Sequence, residues 1–304
     1  MTAATKAPPL QADLLLLLVT LLAATGWIFS REAVAGLPPL TFMAMRFGGA
    51  SLVLAALSYR SLRALNAAQW RAATQVGGLF GVSMIFWVFG LKLTSHVGIG
   101  AFLTSLGLLL VPLISRLFGE RPGPYVYFAL PFAMAGLACL SLDSEFHLGI
   151  PELCFLASAL LMSLMFVLNS RAATHISAMP LTAIQLFWTG IITGLCALLF
   201  EPPAFTQPLA IWGWFAASLL IATCLRFVWQ THAMGKTLPS HSAIIMILEP
   251  VWAAVLATLW LGERMSSLQL AGCGLIFTAM LVNRWPALRQ SIKGALKRRR
   301  QAAR

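Results

Sequence analysis

The chain has 304 residues, of which 59% are hydrophobic and 10% charged. An ordinary soluble domain is about a quarter charged, so a water-facing globule is excluded. The net charge of +12 does not point to nucleic acid: eight of the 21 Lys and Arg residues lie from Arg284 onward, no aromatic follows Trp285, and no RNA or DNA module precedes that tail.

Mean hydropathy is +0.84. The apolar runs are about 18–22 residues long and lack period-two alternation, which suits helices crossing roughly 30 Å of hydrocarbon rather than a barrel. The predicted fold is all-α integral membrane, with ten spans near 12–32, 39–59, 72–91, 97–117, 125–142, 151–169, 180–200, 210–230, 240–261 and 266–284. The first, "DLLLLLVTLLAATGWIFS", reads as a retained span rather than a cleaved signal. Turn residues separate the rest: Gly36 to Pro39, Gly119 to Pro124, Gly149 and Pro151, Pro202 and Pro203, Gly235 and Pro239, and Gly262. The five cysteines all fall inside apolar runs, without metal spacing, and read as small buried hydrophobes. No metal or cofactor is expected.

Charge sets an expected orientation. With the N-terminus inside, cytoplasmic segments hold 17 of the 21 cations, and only Arg31, Lys92 and Arg264 face outward. This places both termini in the cytoplasm and the basic tail, 285–304, beside anionic lipid headgroups.

The chain also repeats. "SREA" at Ser30 recurs as "SRAA" at Ser170. "PLT" at Pro39, followed by Gly49, recurs at Pro180, followed by Gly190. "FGER" at Phe118 recurs as "LGER" at Leu261. The offsets are 140, 141 and 143. Five spans per half is odd, so residues 1–148 and 149–284 form an inverted pair of five-helix repeats. That architecture puts a binding site between the halves near the bilayer midplane.

Within span nine, "SAIIMILEPVWAAVLATLWLG", Glu249 sits near mid-depth. A carboxylate there costs a few kcal/mol unless it meets water, a cation or a proton. Pro250 removes the hydrogen bond to the Met246 carbonyl and bends the helix. Glu249 is thus the first substrate-binding candidate, for an ammonium group or a coupling proton. The bland alternative is a carboxyl bonded to neighbouring helices. Trp252, at i+3, could lend its ring to a cation. Arg46 in span two either pairs with Glu32 or meets a substrate carboxylate. Arg226, Trp229 and Gln230 share one face of span eight by their three-and-four spacing, and Arg226 either snorkels to the interface or faces a solute. The repeat offset maps this face onto Ser83, Phe86 and Trp87 in span three. Trp27 is a further pocket candidate. Asn169 and His241 read as helix-terminus residues. The glycines of "GLFG" at Gly78 to Gly81 and "GIGA" at Gly98 to Ala101 let helices approach closely.

The whole pattern resembles the EamA-type permeases of the drug/metabolite transporter superfamily. The resemblance runs from about Leu14 to Val282. It rests on "TGWIFSREA", "LPPLTFMAMRF", "LEPVWAAVLATLWLGERM" and "LQLAGCGLIFTAMLV", with an echo in "GLLLVPLISRLFGERP". Where family members often carry Trp-Gly in span one, this chain has Gly26-Trp27. The resemblance implies a ten-helix carrier of the bacterial inner membrane that exports amino acids or related amphipathic metabolites by alternating access. No P-loop is present, so the implied energy source is a gradient, with proton coupling one option. A membrane enzyme acting on lipid-linked substrates is the alternative from another class, but it requires clustered acids or histidines at one interface, and the nine acidic residues are scattered. A non-transporting structural or sensory membrane protein is the third reading.

Overall fold

The computed structural model describes residues 10–93, 97–141, 149–201, 207–261 and 266–302. Every regular element among them is helical. In chain order these are α1 (Leu10–Val34), α2 (Pro39–Leu57), the short α3 (Tyr59–Arg63), α4 (Ala67–Leu93), α5 (Val97–Leu117), α6 (Pro124–Ser141), α7 (Ile150–Ala172) and α8 (Ala178–Phe200). They are followed by α9 (Leu209–Leu219), which runs through a π-helical segment (Leu220–Leu225) into α10 (Arg226–Met234), and then by α11 (Pro239–Met246), α12 (Glu249–Leu261) and α13 (Ser267–Ala302).

Local chemistry sets the boundaries. Pro38 precedes α2, Pro39 opens it, and Pro239 opens α11, because a first-turn proline lacks only an N–H that would be unpaired anyway. Asn66 and Gln69 exchange side chain to backbone hydrogen bonds of 3.0 and 2.9 Å at the start of α4, and Ser266 and Gln269 do the same at the start of α13. Gly119, with φ +84°, ends α5 in the left-handed region, as expected of it. Its repeat mate Gly262 lies outside the described residues.

Seven stretches among the described residues are long and apolar enough to cross a membrane. Two of these are composite: Leu209–Met234 contains the π segment, and Pro239–Trp260 contains the break between α11 and α12. Phe102–Leu117 and Pro124–Leu140 are shorter apolar helices. Large apolar side chains such as Leu52, Phe128, Leu160, Leu198 and Phe277 stand exposed, while Thr20, Ser83, Ser158, Thr189 and Thr193 are buried. Lipid tolerates the first set, and helix–helix contacts in lipid favour the second.

Two antiparallel pairs organise the bundle. Along α2 and α8, Leu40 and Thr41 lie beside Glu201, Gly48 against Gly190, and Ser51 donates to the Ala183 carbonyl at 2.8 Å. Along α6 and α13, Gly136 meets Gly272 and Ile276, and Cys139 and Leu140 meet Gly272. A Cβ on Gly190 would stand 2.7 Å from the Gly48 nitrogen, so only glycine permits that crossing. The expectation for "GLFG" is corrected in part: Gly81 packs against Ile192, but nothing lies within 4 Å of a Cβ built on Gly78, and the close approach belongs to its neighbour Gly77 against the Gln185 carbonyl. Side chains of the "GIGA" stretch lie outside the described residues.

The two ends of the bundle differ in chemistry. At the end where α1 begins (the near end), Arg171 donates to the Phe118 carbonyl, Ser240 bonds Glu120, Gly235 lies on the Ala173 carbonyl, and His241 meets Asp13. At the far end the Glu201 carboxylate accepts from the Leu40 and Thr41 N–H groups at 2.8 and 2.7 Å, capping α2 from a different helix.

Candidate functional site

The site forms where the α11–α12 helix is broken. Ile247 and Leu248 turn out of the helix, and α12 restarts at Glu249 with Pro250 behind it. The predicted bend is a two-residue break, across which the Ile247 N–H still donates to the Ala243 carbonyl and the Trp252 N–H to that of Leu248. Membrane carriers use discontinuous helices at mid-depth to hold charged solutes. Glu249 lies ten residues after α11 starts and twelve before α12 ends.

Two helices bring partners to this carboxylate. From α1, the Trp27 indole N–H donates to Oε1 at 3.2 Å. From α10, Arg226 Nη2 pairs with Oε2 at 3.4 Å. The Arg226 side chain is 16% exposed and that of Glu249 23%, so the pair is neither sealed nor at the surface. Arg226 therefore points into the bundle. The option that it snorkels to the interface is corrected, and it leaves the cations assigned to the cytoplasmic face. Its guanidinium also lies 4.4 Å from the Phe227 ring centroid.

The π segment explains the aim of Arg226. One inserted residue rotates the downstream turns by about 100° relative to an uninterrupted α-helix. The same segment receives Arg46. Arg46 Nε donates to the Thr223 hydroxyl at 2.5 Å, Nη1 to the Ser30 hydroxyl at 2.9 Å, and Nη2 reaches the Ala222 carbonyl at 3.5 Å. Ser30 in turn donates to the Gly26 carbonyl and Thr223 to that of Ser218. Arg46 thus joins α1, α2 and the π segment, and its partners do not include the expected Glu32. Gly26 makes the approach possible, since a Cβ there would fall 2.7 Å from that of Ala222. Arg46, Arg226 and Glu249 lie within electrostatic reach of one another.

The remaining predicted residues divide. Trp87 packs edge-on to Trp27, with ring centroids 6.3 Å apart, and so joins the site wall. Gln230 Oε1, Arg226 Nε and Trp252 Nε1 are buried without a hydrogen-bond partner. Trp252 leans on the cluster of Leu109, Ile244 and Ile247, and Trp229 on that of Phe166, Met234 and Ile245. Ser83 is fully buried, its hydroxyl bonded to the Phe80 carbonyl and its own carbonyl accepting from Ser158, so it serves the α4–α7 seam. Phe86 is more than a third exposed.

Sequence reasoning missed Ser30 and Thr223, whose hydroxyls hold Arg46. It also missed a second buried polar group at the near end. Asp13 Oδ1 lies 3.0 Å from His241 Nε2, Asn283 Nδ2 lies 3.3 Å from His241 Nδ1, and Arg284 holds the other Asp13 oxygen. Asp13 opens the first apolar run, where an acidic residue reads as a helix start.

A cleft of about 280 Å³ opens at the near end, lined by Ser115, Glu120, Val167, Ser170, Arg171 and Thr237. It is separate from the Glu249 site.

The model of the EamA-like transporter family matches residues 10–142 and 149–285. The chain is 28% identical over 95 residues to the uncharacterized transporter YcbK of Bacillus subtilis, a match spanning 31% of this chain and 30% of that protein. It is 27% identical over 192 residues to an uncharacterized transporter of Archaeoglobus fulgidus, covering 62% of this chain and 67% of the other. A solved crystal structure superposes with a TM-score of 0.80 at 22% identity, over 92% of this chain and 98% of its own, which is a likeness of fold.

Proposed function

Because the chain belongs to the EamA-like transporter family, we propose that it is a secondary transporter of small organic solutes, with Glu249 and Arg226 at its binding site. The solute class is amino acids or related amphipathic metabolites, and the direction is export. The single observation that carries this reading is the Glu249 carboxylate at a mid-bundle helix break, shared between the Trp27 indole and the Arg226 guanidinium. An ammonium group can compete with Arg226 for Glu249. A solute carboxylate can take the unpartnered Arg226 Nε, and the Gln230 carbonyl can accept a further N–H. The indoles of Trp27 and Trp87 offer an apolar wall. Arg46 supports the site from behind by fixing α1 to the π segment.

The architecture in this proposal is ten crossings in two inverted halves, residues 1–148 and 149–284, with 285–304 as a tail. The packing supports it. Repeat mates α2 and α8 run antiparallel, and so do mates α6 and α13, as two halves of opposite orientation require. The α4–α7 contact has its counterpart in the contact of α1 with α9, the π segment and α10. Alternating access then follows from rocking one half against the other. The near end is cytoplasmic in this reading, on the positive-inside rule, in a bacterial inner membrane.

The test is a thermal-stability screen of the purified protein against amino acids and amphipathic metabolites, followed by flux of each hit into liposomes with and without a proton gradient. A stabilising solute that is also carried, and is no longer carried by Glu249→Gln, is the expected result. Undiminished flux in that variant would remove Glu249 from the site, and a solute that is turned over rather than moved would favour the enzyme reading.

A further inference from the structure

The Asp13–His241 cluster lies outside the solute site and joins three helices: Asp13 from the first turn of α1, His241 from the first turn of α11, and Asn283 and Arg284 from α13. Asp13, His241 and Asn283 are each at most 9% exposed. Directly inward lies an apolar plug drawn from five helices: Leu16 and Val19 of α1, Val111 of α5, Phe166 and Val167 of α7, Met234 of α10, and Met246 of α11. The cluster and plug together close the near end.

With the Asn283 amide placed so that Nδ2 lies against His241 Nδ1, the neutral tautomer that accepts at Nδ1 and donates from Nε2 to Asp13 satisfies both contacts. In this state the aspartate, the arginine and the neutral imidazole sum to zero charge. A proton added at Nδ1 requires the Asn283 amide to turn its oxygen toward the ring and leaves the group at +1 in a buried space. Among the described residues of the surrounding elements, the Glu120 carboxylate beside α5 is bonded by Ser240, Arg116 of α5 lies over the ring of Tyr127 on α6, and Arg171 of α7 is turned to the Phe118 carbonyl. His232 of α10 and Lys236 beyond it are exposed.

We infer that the Asp13–His241–Asn283–Arg284 cluster is a proton-binding latch: it holds the near end shut while His241 is neutral, and a proton on His241 Nδ1 releases it. The ligand is the proton, taken from the solution at that end. The proton is bound at Nδ1 with no bond broken, and its cost is met by hydrating the cluster as α11 parts from α1 and α13. This goes beyond the transporter proposal, which gives His241 no part, and it makes opening of the near end sensitive to pH on that side.

Opening can be read without knowing the solute. Val167 is 1% exposed, packs in the plug and lines the floor of the near-end cleft. In the full chain with the five native cysteines changed to alanine, Val167→Cys is labelled with a hydrophilic maleimide at constant reagent reactivity from about pH 8 to about pH 5.5, the range in which histidine titrates. Labelling is expected to rise several-fold toward the acid end, and to become flat when His241→Gln is added. Glutamine can accept from Asn283 and donate to Asp13 but does not titrate. Hydrogen exchange on the unmodified chain, corrected for the intrinsic pH dependence, is expected to show α11 amides less protected at acid pH. A parent protein whose labelling and exchange do not change with pH overturns the latch, as does a pH response that survives His241→Gln. Either failure leaves solute binding at Glu249 untouched, and loss of solute binding leaves the labelling result untouched.

Discussion

A carboxylate among apolar helices is informative because of what it must be given. Glu249 receives an indole N–H and a guanidinium, which satisfy its charge while leaving the guanidinium Nε free for a solute. Glu249→Gln keeps the shape and removes the charge. Loss of a charge-assisted hydrogen bond to a solute ammonium costs about 1.5–3 kcal/mol, or roughly tenfold or more in affinity, which isothermal titration of a hit from the stability screen would measure. Trp27→Phe keeps the aromatic contact with Trp87 and deletes the donor to Glu249. The expected loss is about 0.5–1.5 kcal/mol of binding, with the fold unchanged by circular dichroism. Arg46 behaves differently. Its three donors grip two hydroxyls and a carbonyl on separate elements, a fork that lysine cannot reproduce. Arg46→Lys is therefore expected to lower unfolding stability by about 1–3 kcal/mol, read as an earlier thermal transition in detergent.

At the scale of helices, glycine positions separate contact from mere flexibility. Gly190 lies against the Gly48 backbone, which cannot move aside as a flexible side chain can. Gly190→Ala forces the α2–α8 pair apart, and an overpacked contact costs about 1–3 kcal/mol. Gly78 faces open space, so Gly78→Ala is expected to stabilise α4 by about 0.5–1 kcal/mol through backbone entropy alone. Paired thermal melts of the two variants check both signs. The same contrast shows what was legible beforehand. Hydropathy and turn residues located the helices, because burying backbone in lipid leaves few alternatives. Pro250 announced a break because a ring without an N–H must leave a carbonyl unpaired. The π segment at Leu220–Leu225 left no mark, since one extra residue in an apolar run does not change its composition. Nor could spacing reveal that Trp27 meets Glu249, 222 residues away, or that Arg46 chooses Thr223 over the nearer Glu32. Those pairings depend on how helices from different halves cross. Asp13 was overlooked and His241 read only as a helix-terminus residue because each stands at a helix end, where a polar residue ordinarily meets water.

At the scale of the molecule, the repeat turns one structure into a statement about two. The offset of 140 between "SREA" and "SRAA" makes Val167 the mate of Trp27. The two mates have opposite surroundings: Val167 is 1% exposed within the near-end plug, whereas Trp27 is 50% exposed beside Glu249. Equivalent positions in inverted halves exchange environments when a carrier changes the side to which it opens. In the proposed alternating-access cycle this is the state closed at the near end, and in the opposite state the mate of each position sets its exposure. Two single-cysteine proteins test this, Trp27→Cys and Val167→Cys, each in the cysteine-free background and labelled by a hydrophilic maleimide. Conditions that slow labelling at 27 are expected to speed it at 167, whether the shift is driven by pH or by a stabilising solute. Labelling that rises or falls together at both sites would mean that the bundle loosens as a whole, and the two halves would then not act as opposed gates. Since neither position lies in the Asp13–His241 cluster, the reciprocity is expected to persist in His241→Gln, with only its pH dependence lost.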